Sequence, residues 1–413
     1  MTDTSKKTIA VGAGEPAQPP DFNRLFSERA RAMQSSAIRE ILKITERSDV
    51  ISFAGGLPAP STFPVETMRV ALDGVLTSNG REALQYSTTE GYAPLREWIA
   101  ARVGSPEAPV SPDDVLVVSG SQQGLDLLAK VLIDAGDTVL VETPTYLGAL
   151  QAFSMFAPNF VSIATDSEGL LPETLTTAVR GAKFIYTLPN FQNPTGRLLS
   201  EDRRYCLVER ARALDLLILE DDPYGALSYS GETPPSIRSL APERTVYLGS
   251  FSKVLSPGLR IGYLIAPAIL RAKLVQAKQA TDLHTATLPQ MAVYDVIKDG
   301  FLDTHIPTIR QLYCEQCATM LAALAKYMPN DVRWSTPSGG MFLWVELPSG
   351  MDASALLALA IERNVAYVPG APFFASNPKV ETLRLAFVTV PPPLIEEGIK
   401  RLAEVIRTHR LPR

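Results

Sequence analysis

The chain has 413 residues, of which 46% are hydrophobic, and its formal net charge is −5. This length predicts two domains, and the hydrophobic content is high enough for folded cores, which excludes a disordered protein. Acidic and basic residues are mixed without a basic stripe, so we expect no nucleic-acid partner, and no apolar run reaches the roughly 20 residues that span a bilayer, so we expect no membrane insertion.

The N-terminal segment 1–23 is polar and lacks the apolar core of a signal peptide, so it is predicted to be a flexible arm of a cytoplasmic protein. Three cysteines in a chain of this length form no disulfide framework and are typical of a reducing compartment. Cys314 and Cys317 make one CxxC pair, but a zinc site needs two further ligands and no second pair exists. We therefore predict no metal site.

The elements that follow have two different patterns. Segment 24–50 has the pattern of one amphipathic helix, and short Val/Ile/Leu-rich runs then alternate with helical patterns such as Gln122–Asp134 and Asp202–Leu214. Such runs are typical of a mostly parallel sheet that is covered by helices on both faces. The seven predicted strands are Val115–Ser119, Thr138–Glu142, Phe160–Ala164, Phe184–Thr187, Leu217–Asp221, Val246–Gly249 and Ile261–Ile265.

After about residue 290 one long helical stretch is predicted to reach about Tyr327, and the alternation then becomes that of a smaller α+β domain. The elements predicted there are strands Phe342–Glu346, Ala366–Val368 and Thr382–Ala386 and a helix at Ala353–Arg363. We therefore predict an α/β chain with a large domain at 61–299, which carries the seven-stranded sheet, and a small α+β domain built from 24–60 and 300–413.

Lys253 lies in the run SFSKVLSPGLR, directly after a predicted strand. Burial and the nearby Arg260 both lower the pKa of a lysine, and the neutral amine is the form that makes a Schiff base. The hydroxyls of Ser250 and Ser252, with the Arg260 guanidinium, suit the oxygens of a phosphate. An imine-forming lysine beside phosphate donors indicates pyridoxal 5'-phosphate. The alternative for this motif alone is a surface lysine in a polar loop.

Two other motifs also follow predicted strands, at the edge where α/β sheets bind ligands. Ser121 and Gln122 come after a glycine turn and open a helix, whose free N–H groups attract a phosphate. In the NPTG motif, Asn193 precedes a proline and is held extended, so its amide can point into a cleft. Either motif alone is also compatible with an ordinary loop.

The run EDDPYG ends a buried strand with three acidic residues, which are costly to bury without partners. A carboxylate among these three could keep a pyridinium nitrogen protonated, which makes the ring an electron sink, and Tyr224 could reach the phenolic oxygen of the same ring. A magnesium site is the alternative, but the chain has no nucleotide-binding P-loop, and no GxGxxG motif points to a dinucleotide-binding dehydrogenase.

Taken together and in this order, the motifs resemble those of the class I/II aminotransferases of fold type I. SGSQQGLDL, FQNPTG, EDDPYG and LGSFSKVLSPGLRIGY carry the resemblance, which extends over roughly 30–405. Within that family the chain is most similar to bacterial 2-aminoadipate and to kynurenine/2-aminoadipate aminotransferases. The resemblance implies transfer of an amino group from an L-amino acid to a 2-oxo acid, with 2-oxoglutarate expected as acceptor, by a ping-pong mechanism.

The resemblance also implies roles for individual residues. Lys253 would bond the cofactor and move the substrate proton, and Asp221 would bind the ring nitrogen. Tyr224 and Asn193 would hold the ring oxygen, and Arg384 would bind the substrate α-carboxylate with two parallel hydrogen bonds. The remaining cofactor ligands would be Tyr146 over the ring and a phosphate-binding group of Ser121, Gln122, Ser250, Ser252 and Arg260.

Further implied residues concern the partner subunit and the substrate. Tyr86 would reach the phosphate of the neighbouring subunit, so a homodimer is expected. Arg39, with Ser36, would recognise the distal carboxylate of glutamate or 2-aminoadipate, although a solvated helix charge is the alternative. Gly55 and Gly56 would let the backbone approach the substrate.

Two other functions remain open at this point. A pyridoxal-phosphate lyase or decarboxylase could use the same fold and the same lysine. A non-enzymic effector domain of a transcription regulator is a further alternative, although the stretch before the matching motifs is short for an added DNA-binding domain.

Overall fold

The computed structural model describes residues 20–33 and 49–409, and the chain divides into two compact units, Met1–Gln34 and Ser35–Arg413. In the first unit, Phe22–Leu25 form a 3-10 helix and Glu28–Ala32 an α-helix. The Ser27 backbone between them is extended, and its hydroxyl accepts a hydrogen bond from the Ala30 N–H at 3.2 Å.

The prediction of one continuous helix over 24–50 is therefore wrong in its described part. Ser27 acts as the N-cap of a new helix, a role that requires a non-helical backbone at that residue. The rest of that prediction, 34–48, lies outside the described residues, as does the predicted arm 1–23 except for 20–23.

The second unit contains a seven-stranded sheet, which confirms the predicted fold class. Six strands run in the same direction, and only Gly262–Ile265 is antiparallel to its neighbours. In spatial order the strands are Val115–Val118, Gly262–Ile265, Thr245–Ser250, Leu217–Asp221, Phe184–Thr187, Thr138–Glu142 and Asn159–Ile163.

Both faces of this sheet are buried. Val139 and Val141 pack into one apolar cluster, whereas Leu140 between them packs into a second cluster on the opposite face. Helix Ser121–Leu132 contributes to the first cluster and helix Glu201–Leu214 to the second. Burial on both faces explains why these strands are continuous apolar runs and were recognisable from sequence.

The described part of this unit contains nine further α-helices. They are Val65–Ala83, Ala93–Val103, Leu147–Ser154, Ile237–Leu240, Ala268–Asp282, Thr287–Ile297, Phe301–Tyr327, Ala353–Glu362 and Pro392–Thr408. The single helical stretch predicted from about 290 to 327 is in fact two helices, because the first ends at Ile297 and Gly300, with φ 81°, is the non-helical N-cap of the second. Within the described ranges, none of the helices is long and apolar enough to cross a membrane.

A second, four-stranded antiparallel sheet is formed by the C-terminal part of the chain. Its strands, in spatial order, are Arg333–Trp334, Phe342–Glu346, Thr382–Ala386 and Val368–Pro369. The predicted strand Ala366–Val368 is divided between two sheets: Val365–Ala366 pairs in parallel with Ile51–Ser52, and Val368–Pro369 pairs with Thr382–Ala386.

Arg204 on helix Glu201–Leu214 is fully buried and fixes the chain segment that follows strand Phe184–Thr187. Its guanidinium donates to the Pro189 carbonyl at 3.3 Å and to Asn190 Oδ1 at 2.6 Å. Its other N–H groups reach the carbonyls of Leu199, Pro234 and Pro235. A buried arginine is stable only with such complete pairing.

Replacing Arg204 with methionine should therefore lower the free energy of unfolding by about 3 kcal/mol or more, because buried carbonyls lose their donors. Urea unfolding followed by circular dichroism measures this change. Arg210→Met, at an exposed position of the same helix, is the control and should change stability by less than about 0.5 kcal/mol. Equal stability of the two variants would contradict the role given to Arg204.

Candidate active site

The carboxyl ends of the parallel strands border a cavity of about 320 Å³. Larger clefts of about 530 and 590 Å³ lie beside the four-stranded sheet, but neither contains the predicted lysine or its partners. The cavity is lined by Gly56, Leu57, Ser121, Gln122, Tyr146, Leu188, Asn193, Asp221, Pro223, Tyr224, Ser250, Ser252, Lys253, Pro257, Arg260 and Arg384. The structure therefore brings together most of the residues that were selected from sequence.

Lys253 follows the end of strand Thr245–Ser250 and its Nζ donates a hydrogen bond to the Gly56 carbonyl at 2.8 Å. The surrounding protein, together with the positive charges of Arg384 and Arg260, lowers the pKa of Lys253 to about 8. Near neutral pH a much larger fraction of this amine is neutral than in an exposed lysine. Lys253 is therefore suited to act as a nucleophile and as a base.

Asp221 ends strand Leu217–Asp221 and is 2% exposed. Its Oδ2 accepts a hydrogen bond from the Tyr186 hydroxyl at 2.7 Å, whereas its Oδ1 has no partner in the described part of the chain. Burial raises the pKa of Asp221 to about 7. An unpaired buried carboxylate oxygen on a cavity wall fits a protonated ring nitrogen, which would supply the missing donor.

Arg384, on strand Thr382–Ala386, is 1% exposed. Its Nη1 donates to Asn193 Oδ1 at 2.9 Å and its Nη2 to the Ala54 carbonyl at 2.7 Å, while its Nε has no partner in the described residues. The guanidinium carbon lies 4.4 Å from the ring centroid of Phe342 and 5.3 Å from that of Phe373. These contacts hold a positive charge in place at the cavity, which suits a carboxylate.

One end of the cavity has the geometry of an anion site. Gly120, with φ 78°, precedes the first residue of helix Ser121–Leu132, and Arg260 Nη2 donates to the Ser119 carbonyl at 3.2 Å. A Cβ at Gly120 would lie 2.4 Å from Arg260 Nη2, so only glycine allows this approach. The helix N-terminus and the guanidinium together suit a phosphate.

The other predicted groups at this end are hydroxyls and an amide. Ser250 Oγ accepts from the Ser252 N–H at 3.1 Å, Ser121 Oγ donates to the Gly249 carbonyl at 3.4 Å, and Gln122 Nε2 donates to the Gly148 carbonyl at 2.9 Å. These side chains line the cavity beside Arg260 and add donors for phosphate oxygens.

Two phenols line the cavity near Asp221. Burial raises the pKa of Tyr146 to about 12, and it also raises the pKa of Tyr224 far above its ordinary value. Both hydroxyls therefore stay protonated and can donate hydrogen bonds. The Tyr224 ring packs edge-on against Phe342, with 5.8 Å between ring centroids.

A buried polar network holds the loop that carries Asn193, and sequence analysis did not identify it. Glu142 accepts a hydrogen bond from Thr187 Oγ1 at 2.6 Å and another from Gln192 Nε2, and Thr195 Oγ1 donates to Gln192 Oε1. Burial raises the pKa of Glu142 to about 7. A single acidic residue at a strand end gives no sequence signal for such a network.

Some predicted residues lie elsewhere. Tyr86 is 78% exposed and contacts the His284 ring edge-on, with 5.9 Å between ring centroids. Gly55 precedes the cavity-lining Gly56 but does not itself line the cavity. Ser36 and Arg39 lie outside the described residues.

In the described residues, no group of three or more His, Cys, Asp or Glu side chains could hold a metal ion. Cys206, Cys314 and Cys317 are free thiols.

Comparisons with known proteins identify the family. The family model of class I and II aminotransferases matches residues 49–402. The chain is 46% identical to aromatic-amino-acid aminotransferase 1 of Thermococcus litoralis, over 94% of this chain and 95% of that protein.

Solved structures agree with this assignment. The kynurenine aminotransferase of Pyrococcus horikoshii, in complex with PMP, superposes with a TM-score of 0.89 at 44% identity and covers 95% of this chain and 99% of its own. The α-aminoadipate aminotransferase of Thermus thermophilus, complexed with N-(5'-phosphopyridoxyl)-L-leucine, has a TM-score of 0.88 at 42% identity, covering 94% of this chain and 99% of its own.

These matches do not favour the lyase or regulator alternatives. They agree with a cavity that offers a nucleophilic lysine, an unpaired carboxylate oxygen and an anion site. The chain belongs to the class I and II aminotransferase family, and it is a pyridoxal 5'-phosphate-dependent aminotransferase of fold type I.

Proposed function

We propose that Lys253, Asp221 and Arg384 carry out the transamination of L-amino acids with 2-oxoglutarate in this cavity. The observation that carries the proposal is that three buried or partly buried ionisable groups meet there with unused bonding capacity. Lys253 has a lowered pKa, Asp221 has an unpaired oxygen, and Arg384 has an unpaired Nε. Such a combination is typical of a catalytic site.

Pyridoxal phosphate, when bound, supplies an aldehyde carbon and a ring that accepts electrons from the substrate Cα. Lys253 Nζ would hold the cofactor covalently. Asp221 Oδ1 would accept a hydrogen bond from the protonated ring nitrogen. Tyr224 and Asn193 would donate to the ring oxygen. The phosphate would bind to Ser121, Gln122, Ser250, Ser252 and Arg260, and Tyr146 would cover the ring.

Lys253 would also take the proton from the substrate Cα and return it later, because its neutral amine is the basic form. Arg384 would orient the substrate by its α-carboxylate, and Gly55 and Gly56 would leave room for the substrate beside the backbone. Burial strengthens each of these interactions, since water cannot compete with them inside the cavity.

Lys253→Ala should abolish transamination, because it removes both the covalent attachment and the base. Activity assays and mass spectrometry after borohydride reduction measure the two losses. Lys273→Ala, at an exposed lysine, is the control and should retain activity and the reduced adduct. Activity that survives in Lys253→Ala, or an adduct located on another residue, would refute the assignment.

The substrate range we propose includes 2-aminoadipate, glutamate, aromatic and leucine-like donors. The names of the related aminotransferases support this range, since they refer to aromatic amino acids, 2-aminoadipate and kynurenine. Arg39, with Ser36, would bind the distal carboxylate of acidic donors. The SSAIREIL motif is the support for that assignment.

Two arginine variants separate recognition of the α-carboxylate from recognition of the side chain. Arg384→Lys should lower kcat/KM about a hundredfold or more for every donor, because lysine cannot replace a fixed guanidinium fork. Arg39→Ala should lower kcat/KM for 2-aminoadipate and glutamate while leucine is unaffected. Steady-state assays with 2-oxoglutarate test both, and Arg333→Lys, at an exposed position, is the control. Equal loss for all donors in Arg39→Ala would contradict its role.

We also propose that the enzyme is a cytoplasmic homodimer and that Tyr86 binds the phosphate in the partner's site. The 78% exposure of Tyr86 and its position outside its own subunit's cavity support this. The division into a large domain, 61–299, and a small domain from 24–60 and 300–413 stays a prediction.

Hybrid dimers test the position of Tyr86. Isolated hybrid dimers of one Lys253→Ala chain and one Tyr86→Ala chain should have about half of the wild-type activity, because each hybrid has one intact site. Lys253→Ala with Asp221→Asn should regain none, since both residues belong to the same subunit's site. Hybrids isolated by two affinity tags are assayed with sedimentation velocity as the mass check. An inactive hybrid of the Lys253→Ala and Tyr86→Ala chains would show that Tyr86 does not act in the partner's site.

A further inference from the structure

Tyr186 is a fully buried residue of strand Phe184–Thr187 that the proposed mechanism leaves unused. Its hydroxyl donates to Asp221 Oδ2 at 2.7 Å across the two paired strands. Its ring packs edge-on against Phe153, with 5.6 Å between ring centroids. Phe153 is itself fully buried, so the phenol is held in one orientation toward the carboxylate.

We propose that Tyr186 is a positioning residue that binds Asp221 Oδ2 and so directs Oδ1 toward the cofactor's ring nitrogen. This inference rests on the proposed role of Asp221. It extends that role to a residue that hydrogen-bonds to the other oxygen of the same carboxylate.

The surroundings of Asp221 explain why one hydrogen bond matters. Burial favours the neutral carboxylic acid, and the negative charge of Asp222 acts in the same direction. The phenols of Tyr146 and Tyr224 interact with the charge of Asp221, but among the described residues neither of them has a hydrogen bond to it. Tyr186 is thus the one side chain in the described part of the chain that hydrogen-bonds to this carboxylate and stabilises its charged form.

The two carboxylate oxygens of Asp221 have different surroundings. Oδ2 accepts the hydrogen bond from Tyr186, whereas Oδ1 is buried and has no hydrogen-bond partner among the described residues. Without the phenol, the carboxyl group could rotate or take up a proton. A neutral or rotated carboxyl group would be a weaker acceptor for a protonated ring nitrogen.

Tyr186→Phe tests this proposal through ligand affinity. Equilibrium dissociation constants of the cofactor-free protein are measured for pyridoxal 5'-phosphate and for its 1-deaza analogue, in which a C–H group replaces the ring nitrogen. The variant should bind pyridoxal phosphate about tenfold more weakly and the deaza analogue almost unchanged, because only the nitrogen uses Asp221. The ratio of the two constants does not depend on the fraction of protein that is folded.

A double-mutant cycle and a matched control complete the test. In an Asp221→Asn background, Tyr186→Phe should have no further effect on that ratio. Tyr247→Phe removes another buried hydroxyl, which donates to Asp222 Oδ2 at 3.1 Å, and should leave the ratio unchanged. An unchanged ratio in Tyr186→Phe, or an equal loss for both ligands, would overturn the role of Tyr186. An unchanged ratio in Asp221→Asn would instead overturn the proposed contact with the ring nitrogen.

Discussion

The candidate active site depends on the removal of water from charged groups at the carboxyl edge of the large sheet. Burial raises the pKa of Asp221, lowers that of Lys253 and lowers that of Arg384 to about 10. The same removal of water shifts the pKa values of all three groups in the directions that favour their uncharged forms. A ligand with a cationic ring nitrogen and anionic groups would restore the charge pairing that these residues lack.

Such groups are useful only if the scaffold prevents them from pairing with each other. Arg384 is held by Ala54, Asn193 and two phenylalanine rings, and the loop of Asn193 is held by Glu142 and Gln192. Arg204 fixes the start of the same loop from a helix on the other side. The site is therefore supported by buried hydrogen bonds that do not themselves contact the substrate in the proposed mechanism.

Much of the fold and the site could be predicted from sequence, and the failures have physical causes. Strands buried on both faces are continuous apolar runs, so Thr138–Glu142 and Phe184–Thr187 were predicted with the bounds that the structure has. The helix break at Gly300 depends on one backbone conformation and was missed. Tyr186 was also missed, because a tyrosine in an apolar strand has the pattern of a core residue. Its partner Asp221 was found, because three consecutive acidic residues at the end of an apolar strand are unusual.

Arg384 and Lys253 are positioned by different sheets, although they border the same cavity. Arg384 lies on the four-stranded antiparallel sheet, whereas Lys253 follows a strand of the seven-stranded one. An amino acid that contacts Arg384 through its α-carboxylate and Lys253 at its Cα proton would act as a temporary cross-link between the two sheets. Substrate occupancy would then damp local opening motions, and amide hydrogen exchange would slow in both sheets at once.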